Sequence, residues 1–448
     1  MRFRCRRKNS LILLLLLASA AIGQERRKRD DQPEQTFPPA LPGGQTILSI
    51  TTDAFLRKGE SIRADVDVAK TAPTIDFMYY PGQNYLGKPW SNWGDGLAVH
   101  GKYYSAVGDH LAPEGHAFVY EYDPGAKQLK LLCDVTATLK DVSGYKPGKV
   151  HSRIDIGQDG WLYFATHRGS TSVTTEANQY RGDWILRSDP RTGNSEVVAW
   201  GPVPKHCIPC SVLDPQRLIF YGGTAAGVGK DVRFFGYDIK NRKLIFEGPD
   251  GPPRYMIFAK STGNVYYVPG ADNGRLVRFD PDLPTGPVPI EASLGLRAAT
   301  DETADGVVYT VGKGDKDTDG RLYAFDTKTE TARDLGPASV GTANYITSID
   351  VDSSGRYLYY VPGAHGGAEK DGTPVVQFDL KTRKHKVLAF LHPYFHEAIG
   401  ATPVGTFSTA IDPAGDKLYI TWNVNRCGRS WDCCSLTVIH IPAQERSP

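Results

Sequence analysis

Residues 150–200, VHSRIDIGQDGWLYFATHRGSTSVTTEANQYRGDWILRSDPRTGNSEVVAW, contain four short apolar runs separated by polar turns and loops. The runs cover residues 150–156, 161–166, 183–187 and 195–200, and Gly, Asp and Pro are frequent between them. Apolar and polar residues that alternate between such turns are typical of antiparallel strands joined by hairpins. The stretch therefore predicts one sheet of four strands, which we name A, B, C and D in chain order.

The second run of this stretch has counterparts along the whole chain. Seven apolar runs that contain tyrosine follow a turn, and their central residues, spaced 43 to 60 residues apart, are Tyr103, Leu162, Leu218, Val265, Val308, Leu358 and Leu418. A period of ~40–50 residues with several short strands per unit is the signature of a β-propeller. In five units an aromatic residue followed by Asp ends strand C, which indicates a turn capped by that carboxylate.

The last unit lacks a fourth strand. Residues 407–442 supply only strands A, B and C, whereas residues 45–52 form an isolated strand before the first unit. We therefore predict an all-β fold, a seven-bladed β-propeller closed by this N-terminal strand, because closure removes an exposed sheet edge. Six blades with a separate N-terminal element are the alternative. The chain shows no helical period of useful length.

The N-terminus is typical of a secretory signal, because five basic residues precede an apolar stretch that ends in small residues. We predict a signal peptide over 1–23, a disordered linker over 24–44 and the propeller over 45–448. A signal anchor is the alternative. The remaining 47 basic and 50 acidic residues give a net charge of −3, which does not indicate nucleic-acid binding. We expect a secreted or periplasmic monomer without membrane contact after the signal is removed.

Six cysteines follow the predicted signal peptide. An even number in an exported chain favours disulfide bonds, although six cysteines leave the pairing open. The pair Cys207 and Cys210 could instead contribute to a zinc site.

Propeller geometry predicts which residues meet at one end of the central channel. Strand A lines the channel, and the D–A and B–C connections, which hold eight of the eleven histidines, share one face. Counting back eleven residues from each B-strand centre gives the starts of the A strands: Asn92, His151, Cys207, Arg254, Arg297, Thr347 and Phe407. We call the opening at this face the mouth. We expect Arg254, Arg297 and His110 to bind substrate there.

Arginines near the channel axis need anionic partners. A carboxylate or sulfate of a substrate can supply one in bidentate geometry, and acids of neighbouring blades are the alternative. Tyr221, late in strand B of the third unit, and Arg233, at the start of its strand C, are expected to approach the same mouth.

An acidic loop lies in the fifth unit. Asp315, Asp317 and Asp319 alternate as in the start of a calcium loop, and Asp326 occupies the twelfth position. The pattern indicates a structural calcium ion, with an ordinary acidic turn as the alternative.

The motif at residues 151–169, HSRIDIGQDGWLYFATHRG, resembles the exported propeller polysaccharide lyases, specifically the ulvan lyases and the rhamnose–glucuronate lyases. The shared features are a His that opens strand A, an Asp-Gly turn, a B strand with tyrosine, and a terminal Thr-His. The resemblance implies cleavage of a uronate-containing glycan by β-elimination. It implies His151 and Tyr221 as the acid–base pair, and His167 and Arg233 as neutralisers of the uronate carboxylate.

Three functions remain open at this point. The first is an exported lyase that acts on an acidic polysaccharide or oligosaccharide and requires no cofactor, because Arg and His would offset the developing negative charge. The second is a metal-dependent oligouronate lyase with histidines of the mouth as ligands. The third is a non-catalytic propeller that binds a glycan or a protein.

Overall fold

The computed structural model describes residues 38–83, 90–109, 115–140, 144–169, 171–226, 231–270, 273–314, 319–426 and 429–446. In this part of the chain, seven sheets of four or five strands form the seven blades of a β-propeller, which confirms the predicted fold class. The α-helices of the described residues are short: Val135–Leu139, Tyr394–Ile399 and Ala443–Arg446. None of them is long and apolar enough to cross a membrane.

The strands of the first four blades follow each other in chain order from A to D. In blade one they are Trp90–Ser91 with Leu97–Val99, Lys102–Asp109, Ala117–Asp123 and Gln128–Asp134. In blade two they are Lys149–Val150 with Asp155–Ile156, Leu162–His167, Trp184–Ser188 and Ser195–Trp200. In blade three they are His206–Asp214, Ile219–Ala226, Phe234–Asp238 and Lys243–Gly248. In blade four they are Ile257–Phe258, Val265–Tyr267, Asn273–Phe279 and Val288–Gly295.

The last three blades continue this order, and N-terminal strands join two of them. In blade five the strands are Ala298–Ala299, Val307–Val311, Arg321–Asp326 and Thr331–Pro337. In blade six they are Ile349–Val351, Tyr357–Tyr360, Pro374–Asp379 and Lys384–Phe390, with Asp67–Val68 added in parallel at the edge. In blade seven they are Ala401–Ile411, Lys417–Arg426, Arg429–His440, Thr74–Tyr79 and Leu48–Thr51.

An N-terminal strand closes the ring, but it is not the segment 45–52. Strand Thr74–Tyr79 pairs with strand C of blade seven, and Leu48–Thr51 adds a fifth, outer strand to it. Four consecutive residues of Thr74–Tyr79 are buried, whereas every second residue of Leu48–Thr51 is exposed. A strand inside a sheet is covered on both faces, so the continuously apolar segment takes the closing position and the alternating one takes the edge.

Strand A of blade two is interrupted between Val150 and Asp155. At this interruption the side chain of Ser152 replaces a backbone acceptor of the sheet. Its hydroxyl accepts a hydrogen bond from the Ala165 N–H at 2.8 Å. The entry into blade one packs against this bend: a Cβ on Gly94 would lie 2.3 Å from the carbonyl oxygen of Ser152. The bend displaces the chain at the point where His151 enters the channel.

The predicted aspartate turns are confirmed. Each of the five carboxylates accepts a hydrogen bond of 2.8–2.9 Å from a backbone N–H two or three residues further on: Asp123, Asp238, Asp280, Asp326 and Asp379. An Asp at this position satisfies turn amides that the sheet leaves unpaired.

The described cysteines are all buried free thiols, so the predicted disulfides do not form among them: Cys133, Cys207, Cys210, Cys433 and Cys434. Cys427 lies outside the described residues. The Cys207 thiol donates to the Ala225 carbonyl at 3.2 Å, and the Cys210 thiol donates to the Pro252 carbonyl at 3.4 Å. These cysteines therefore fill buried positions of the sheets as small apolar side chains and do not cross-link them.

The predicted signal peptide lies outside the described residues, as does the predicted linker before residue 38. At the end of that linker, Pro42–Gly44 forms a 3₁₀ turn and Leu41 packs into the core between blades six and seven.

Candidate functional site

The starts of the A strands meet at a small cavity of about 20 Å³, which we call the inner cavity. Its lining residues are Trp93, Asp95, His151, Arg153, Pro209, Cys210, Ser211, Arg254, Tyr255, Arg297, Thr347 and Phe407. The spacing of the tyrosine-bearing runs placed five of these side chains at the starts of A strands: His151, Arg254, Arg297, Thr347 and Phe407.

A wider cavity of about 620 Å³ shares Arg254 with the inner cavity, and we call it the outer cavity. Pro253, Arg254, Gly270, Asn273, Lys313, Tyr345 and His365 line it. Together the two cavities form the mouth. Basic, aromatic and amide side chains predominate, and the outer cavity has no carboxylate among these lining residues.

Of the three arginines that line the inner cavity, Arg153 is paired with Asp155 and Asp301, each at 2.8 Å, whereas Arg254 and Arg297 have no carboxylate partner within ion-pair distance among the described residues. Arg297 is 3% exposed, and its Nε donates to the Tyr345 hydroxyl at 2.7 Å. Arg254 donates to the Pro253 carbonyl at 2.9 Å. Arg254 is exposed, whereas the guanidinium of Arg297 is buried without an anion. Such burial is costly, so the surroundings of Arg297 favour an anionic ligand. Within the described part of the chain, an acid of another blade neutralises Arg153, through Asp301, but not Arg254 or Arg297.

Asp95 is the one carboxyl group among the residues that line the inner cavity. The Tyr255 hydroxyl donates to its Oδ2 at 2.8 Å. Burial raises the pKa of Asp95, and its hydrogen bonds and the nearby arginines only partly offset that effect. A carboxyl group with a raised pKa neutralises Arg297 less well than an ordinary carboxylate does.

His151 and His167 lie side by side, with ring centres 5.2 Å apart. Nδ1 of His151 lies 2.8 Å from the Pro209 carbonyl, and Nδ1 of His167 lies 2.7 Å from the Arg168 carbonyl. Because a carbonyl only accepts, each Nδ1 carries the proton, and Nε2 of each neutral ring keeps a lone pair. Burial, followed by the charge of Lys149, holds the pKa of both imidazoles well below the usual range. Both rings are therefore uncharged proton acceptors at neutral pH.

Lys149 is a member of the site that sequence reasoning missed. It lies opposite His167 in the strand register, and its Nζ is 4.1 Å from the centre of the Trp93 ring. Burial, together with the charges of Arg168 and Arg254, lowers the pKa of Lys149 to about 7. The sequence could have indicated Lys149, because residues two positions apart on a strand point to the same side and Lys149 precedes His151 by two positions.

An aromatic wall crosses the mouth. The Trp93 and Phe407 ring centres are 4.9 Å apart, Phe407 and His365 are 5.3 Å apart, and His365 and Tyr345 are 4.8 Å apart. Burial and the charges of Arg297 and Arg254 lower the pKa of His365 to about 4, so this ring is also neutral. Flat neutral rings can pack against the C–H faces of a sugar while the arginines bind its acidic group.

Tyr221 and Arg233 do not lie with the other predicted residues. Tyr221 is fully buried between blades three and four, stacked 6.2 Å from Phe234, and its hydroxyl has no hydrogen-bond partner among the described residues. Burial, together with the charge of Asp214 at the far end of strand A, raises the pKa of Tyr221 well above its usual range. Arg233 forms ion pairs with Asp231 at 2.9 Å and Glu247 at 3.8 Å on an outer strand.

The remaining predicted site residues fall mostly outside the described part of the chain. His110, Asp315 and Asp317 lie in segments that the structure does not describe. Asp319 is described, and its Oδ1 accepts a hydrogen bond from the Ser339 hydroxyl at 2.8 Å. The calcium site stays a prediction.

Comparison with known proteins identifies the fold. No protein-family model and no curated protein matches the chain. Among solved structures, an oligogalacturonate lyase in complex with manganese is 12% identical over 85% of this chain and 96% of its own, with a TM-score of 0.52. An oligogalacturonate lyase from Vibrio parahaemolyticus is 10% identical over 90% of this chain and 98% of its own, with a TM-score of 0.52.

At this identity the similarity shows a shared propeller fold. Both similar structures are propeller lyases, but neither is an ulvan lyase or a rhamnose–glucuronate lyase, so the narrower resemblance gains no support. One of them binds manganese. Within the described residues, no three side chains of His, Cys, Asp or Glu converge as a metal ion would require, so this part of the chain offers no site for that ion.

Proposed function

We propose that the mouth binds a uronate-containing oligosaccharide or polysaccharide and cleaves it by β-elimination. The observation that carries this proposal is the buried Arg297, which has no carboxylate partner in the described chain and shares one cavity with the uncharged imidazole of His151. Removal of a proton next to a carboxylate requires two neighbouring groups: one that binds the anion and one that accepts the proton.

The arginines would act on the substrate carboxylate. The C5 proton of a uronate is weakly acidic because its removal places further negative charge next to the carboxylate. Arg297 and Arg254 would offset that charge, with Arg297 oriented by its contact to Tyr345. Charge-assisted hydrogen bonds of this kind are stronger in a site shielded from water, and they strengthen further as charge develops.

His151 would remove the C5 proton. Its Nδ1–H is committed to the Pro209 carbonyl, so Nε2 accepts, and its lowered pKa keeps it in the accepting form at neutral pH. His167, 5.2 Å away, carries the same tautomer and supports the same uncharged environment. This assignment keeps the role that the sequence motif implied for His151.

Tyr345 would protonate the leaving oxygen in place of Tyr221. Its hydroxyl oxygen accepts from Arg297 at 2.7 Å, which leaves its own proton free to be donated, and it lines the outer cavity. Tyr221 is sealed in the core and offers no such access. A tyrosine hydrogen-bonded to a guanidinium is a suitable general acid, because the positive charge stabilises the phenolate that donation leaves behind.

The substrate is an acidic glycan under this proposal, and the oligogalacturonate lyases of similar fold support a uronate class. A narrower preference for ulvan or rhamnose–glucuronate chains would rest on the motif at residues 151–169 alone. Export would rest on the basic and then apolar N-terminus.

The test is direct. The purified chain is incubated separately with pectate, oligogalacturonate, ulvan and a glucuronate-rich gum, and the unsaturated product is followed by its ultraviolet absorbance near ~235 nm, a consequence of the C=C bond that elimination forms. We expect product from at least one substrate, and its loss in His151→Gln. No product from any of them contradicts the proposal, and glycan binding without turnover would favour a non-catalytic propeller.

A metal-dependent oligouronate lyase is the second candidate, because one structure of similar fold is a manganese complex. Treatment with EDTA followed by dialysis separates the two candidates. Activity that is lost and then restored by Mn²⁺ favours the metal-dependent reaction, whereas unchanged activity favours neutralisation by Arg254 and Arg297.

A further inference from the structure

Lys149 has no role in the proposed elimination, yet its side chain is buried in an unusual environment. The residue is 8% exposed, and among the described residues its Nζ has neither an ion-pair nor a hydrogen-bond partner. Lysine is rarely buried without a carboxylate, because removing an ammonium from water is costly. The contact that holds the amine is the face of Trp93, 4.1 Å away.

The surroundings favour an uncharged amine. Arg168 and Arg254 lie near enough to repel an ammonium, and His151 and His167 are neutral. Two acidic groups oppose this effect, the thiol of Cys207 and, more weakly, the carboxyl group of Asp183, but burial outweighs both. Asp183 is already occupied by the hydroxyls of Tyr145, Thr166 and Tyr180, and burial raises its pKa to about 6. A neutral amine in such a pocket is a nucleophile rather than a counter-ion.

We propose that Lys149, which packs on the Trp93 ring that lines the inner cavity, forms an imine with small carbonyl compounds that carry a carboxylate, such as 2-oxo acids. Arg254 and Arg297 would bind the carboxylate, and the Nζ lone pair would attack the carbonyl carbon. This activity is independent of the proposed elimination, since it requires neither a glycan nor the general acid.

The step balances without a further reactant. The C–N bond forms as the carbonyl π pair moves to oxygen, and the proton released from nitrogen reaches that oxygen through Nε2 of His151. Loss of the oxygen as water, with the second amine proton, then gives the C=N bond. One amine and one carbonyl group become one imine and one water molecule, and nothing is oxidised or reduced.

Reductive trapping tests the proposal on the full chain. The protein is incubated with glyoxylate and cyanoborohydride at pH 7, and the adducts are located by peptide mass mapping. We expect Lys149 to be modified at least ~10-fold faster than lysines on exposed turns away from the mouth, such as Lys240 and Lys381, because burial among cations favours the uncharged, nucleophilic amine of Lys149. Neutral acetaldehyde should show a smaller preference for Lys149, since it lacks the carboxylate.

Two variants complete the experiment. Lys149→Met should remove the preferred adduct, and Lys240→Met, in an exposed hairpin turn, should retain it. Mapping of the unmodified protein locates the adduct even if Lys149→Met fails to fold. Adducts that appear on exposed lysines without enrichment at Lys149 would overturn the proposal. The absence of lyase activity would leave this result unaffected, so the two proposals fail separately.

Discussion

Arg297 donates a hydrogen bond to Tyr345 across the boundary between blades five and six, with 2.7 Å between Nε and the hydroxyl oxygen. The two residues lie in D–A connections of successive blades, 48 positions apart in the chain. The contact orients a buried guanidinium towards the channel and fixes the hydroxyl beside it. One hydrogen bond thus joins the residue proposed to bind the anion to the residue proposed to donate the proton.

Arg297→Met should lower kcat/KM for an acidic glycan by about 10²–10³-fold, because the group that offsets the developing charge is lost. Arg297→Lys should recover only part of the activity, since an ammonium lacks the planar, bidentate geometry. Steady-state kinetics measure both. The matched control is Arg356→Met, which removes an arginine paired with Asp379 on the outer part of blade six. Equal loss in the control would contradict a specific role for Arg297.

Tyr345→Phe and Tyr221→Phe form a matched pair of substitutions. The first should reduce kcat about 10–100-fold with a smaller change in KM, because a proton donor is removed. The second should leave kcat unchanged, because the Tyr221 hydroxyl is buried in the core without a partner in the described chain. Kinetics with the same substrate compare the two. A larger loss of kcat in Tyr221→Phe than in Tyr345→Phe would identify Tyr221 as the general acid.

His151→Gln should abolish most turnover, by about 10²–10⁴-fold, because glutamine accepts no proton. In the wild type, activity depends on the neutral imidazole and should fall as the pH drops through its folded-state pKa. Since burial and nearby cations lower that pKa, the fall should occur at a pH well below 6.5. The pH profile of kcat/KM gives the midpoint.

A control for the histidine uses His116→Gln, which alters a histidine near Asp134 of blade one. This variant should retain the pH profile of kcat/KM that the wild type shows. An acid limb centred at 6.5 or above would show that a different group sets the pH dependence.

Asp350→Asn should stabilise the protein at pH 8 by about 1–2 kcal/mol and have little effect at pH 4. Burial, with Asp95 and Asp301 nearby, raises the pKa of Asp350 to about 7, against the hydrogen bond from Thr409. A raised folded-state pKa favours the folded state while the group is protonated, and this contribution is lost as the pH rises from about 4 to about 7. The uncharged amide mimics the protonated form.

Urea unfolding at the two pH values measures this difference. Asp305→Asn, an exposed turn residue of blade five, serves as the control and should show no pH-dependent difference from the wild type. A variant of Asp350 that is less stable than the wild type at pH 8 would contradict the raised pKa.

The fold and part of the site followed from patterns that are local in the chain. Alternation and turn signals located the strands of blade two to within a few residues, and regular spacing brought His151, Arg254 and Arg297 to one cavity. The closing strand was misassigned because Thr74–Tyr79 lacks the alternation of an edge strand. The cysteine count suggested disulfides, whereas the described thiols lie buried in separate surroundings.

The sequence by itself determined seven blades and residues near the start of most A strands, because these depend on the two-residue strand period and on the distance between turns. Phe407 is an exception, since strand A of blade seven is Ala401–Ile411 and Phe407 lies inside it. The tertiary structure alone decided that Tyr345 rather than Tyr221 contacts Arg297, that Tyr255 reaches Asp95 from 160 residues away, and that Lys149 lies buried on Trp93. The physical reason is that burial and charge act through space. A pKa or an unpaired guanidinium depends on neighbours from several blades, and no spacing along one strand records them.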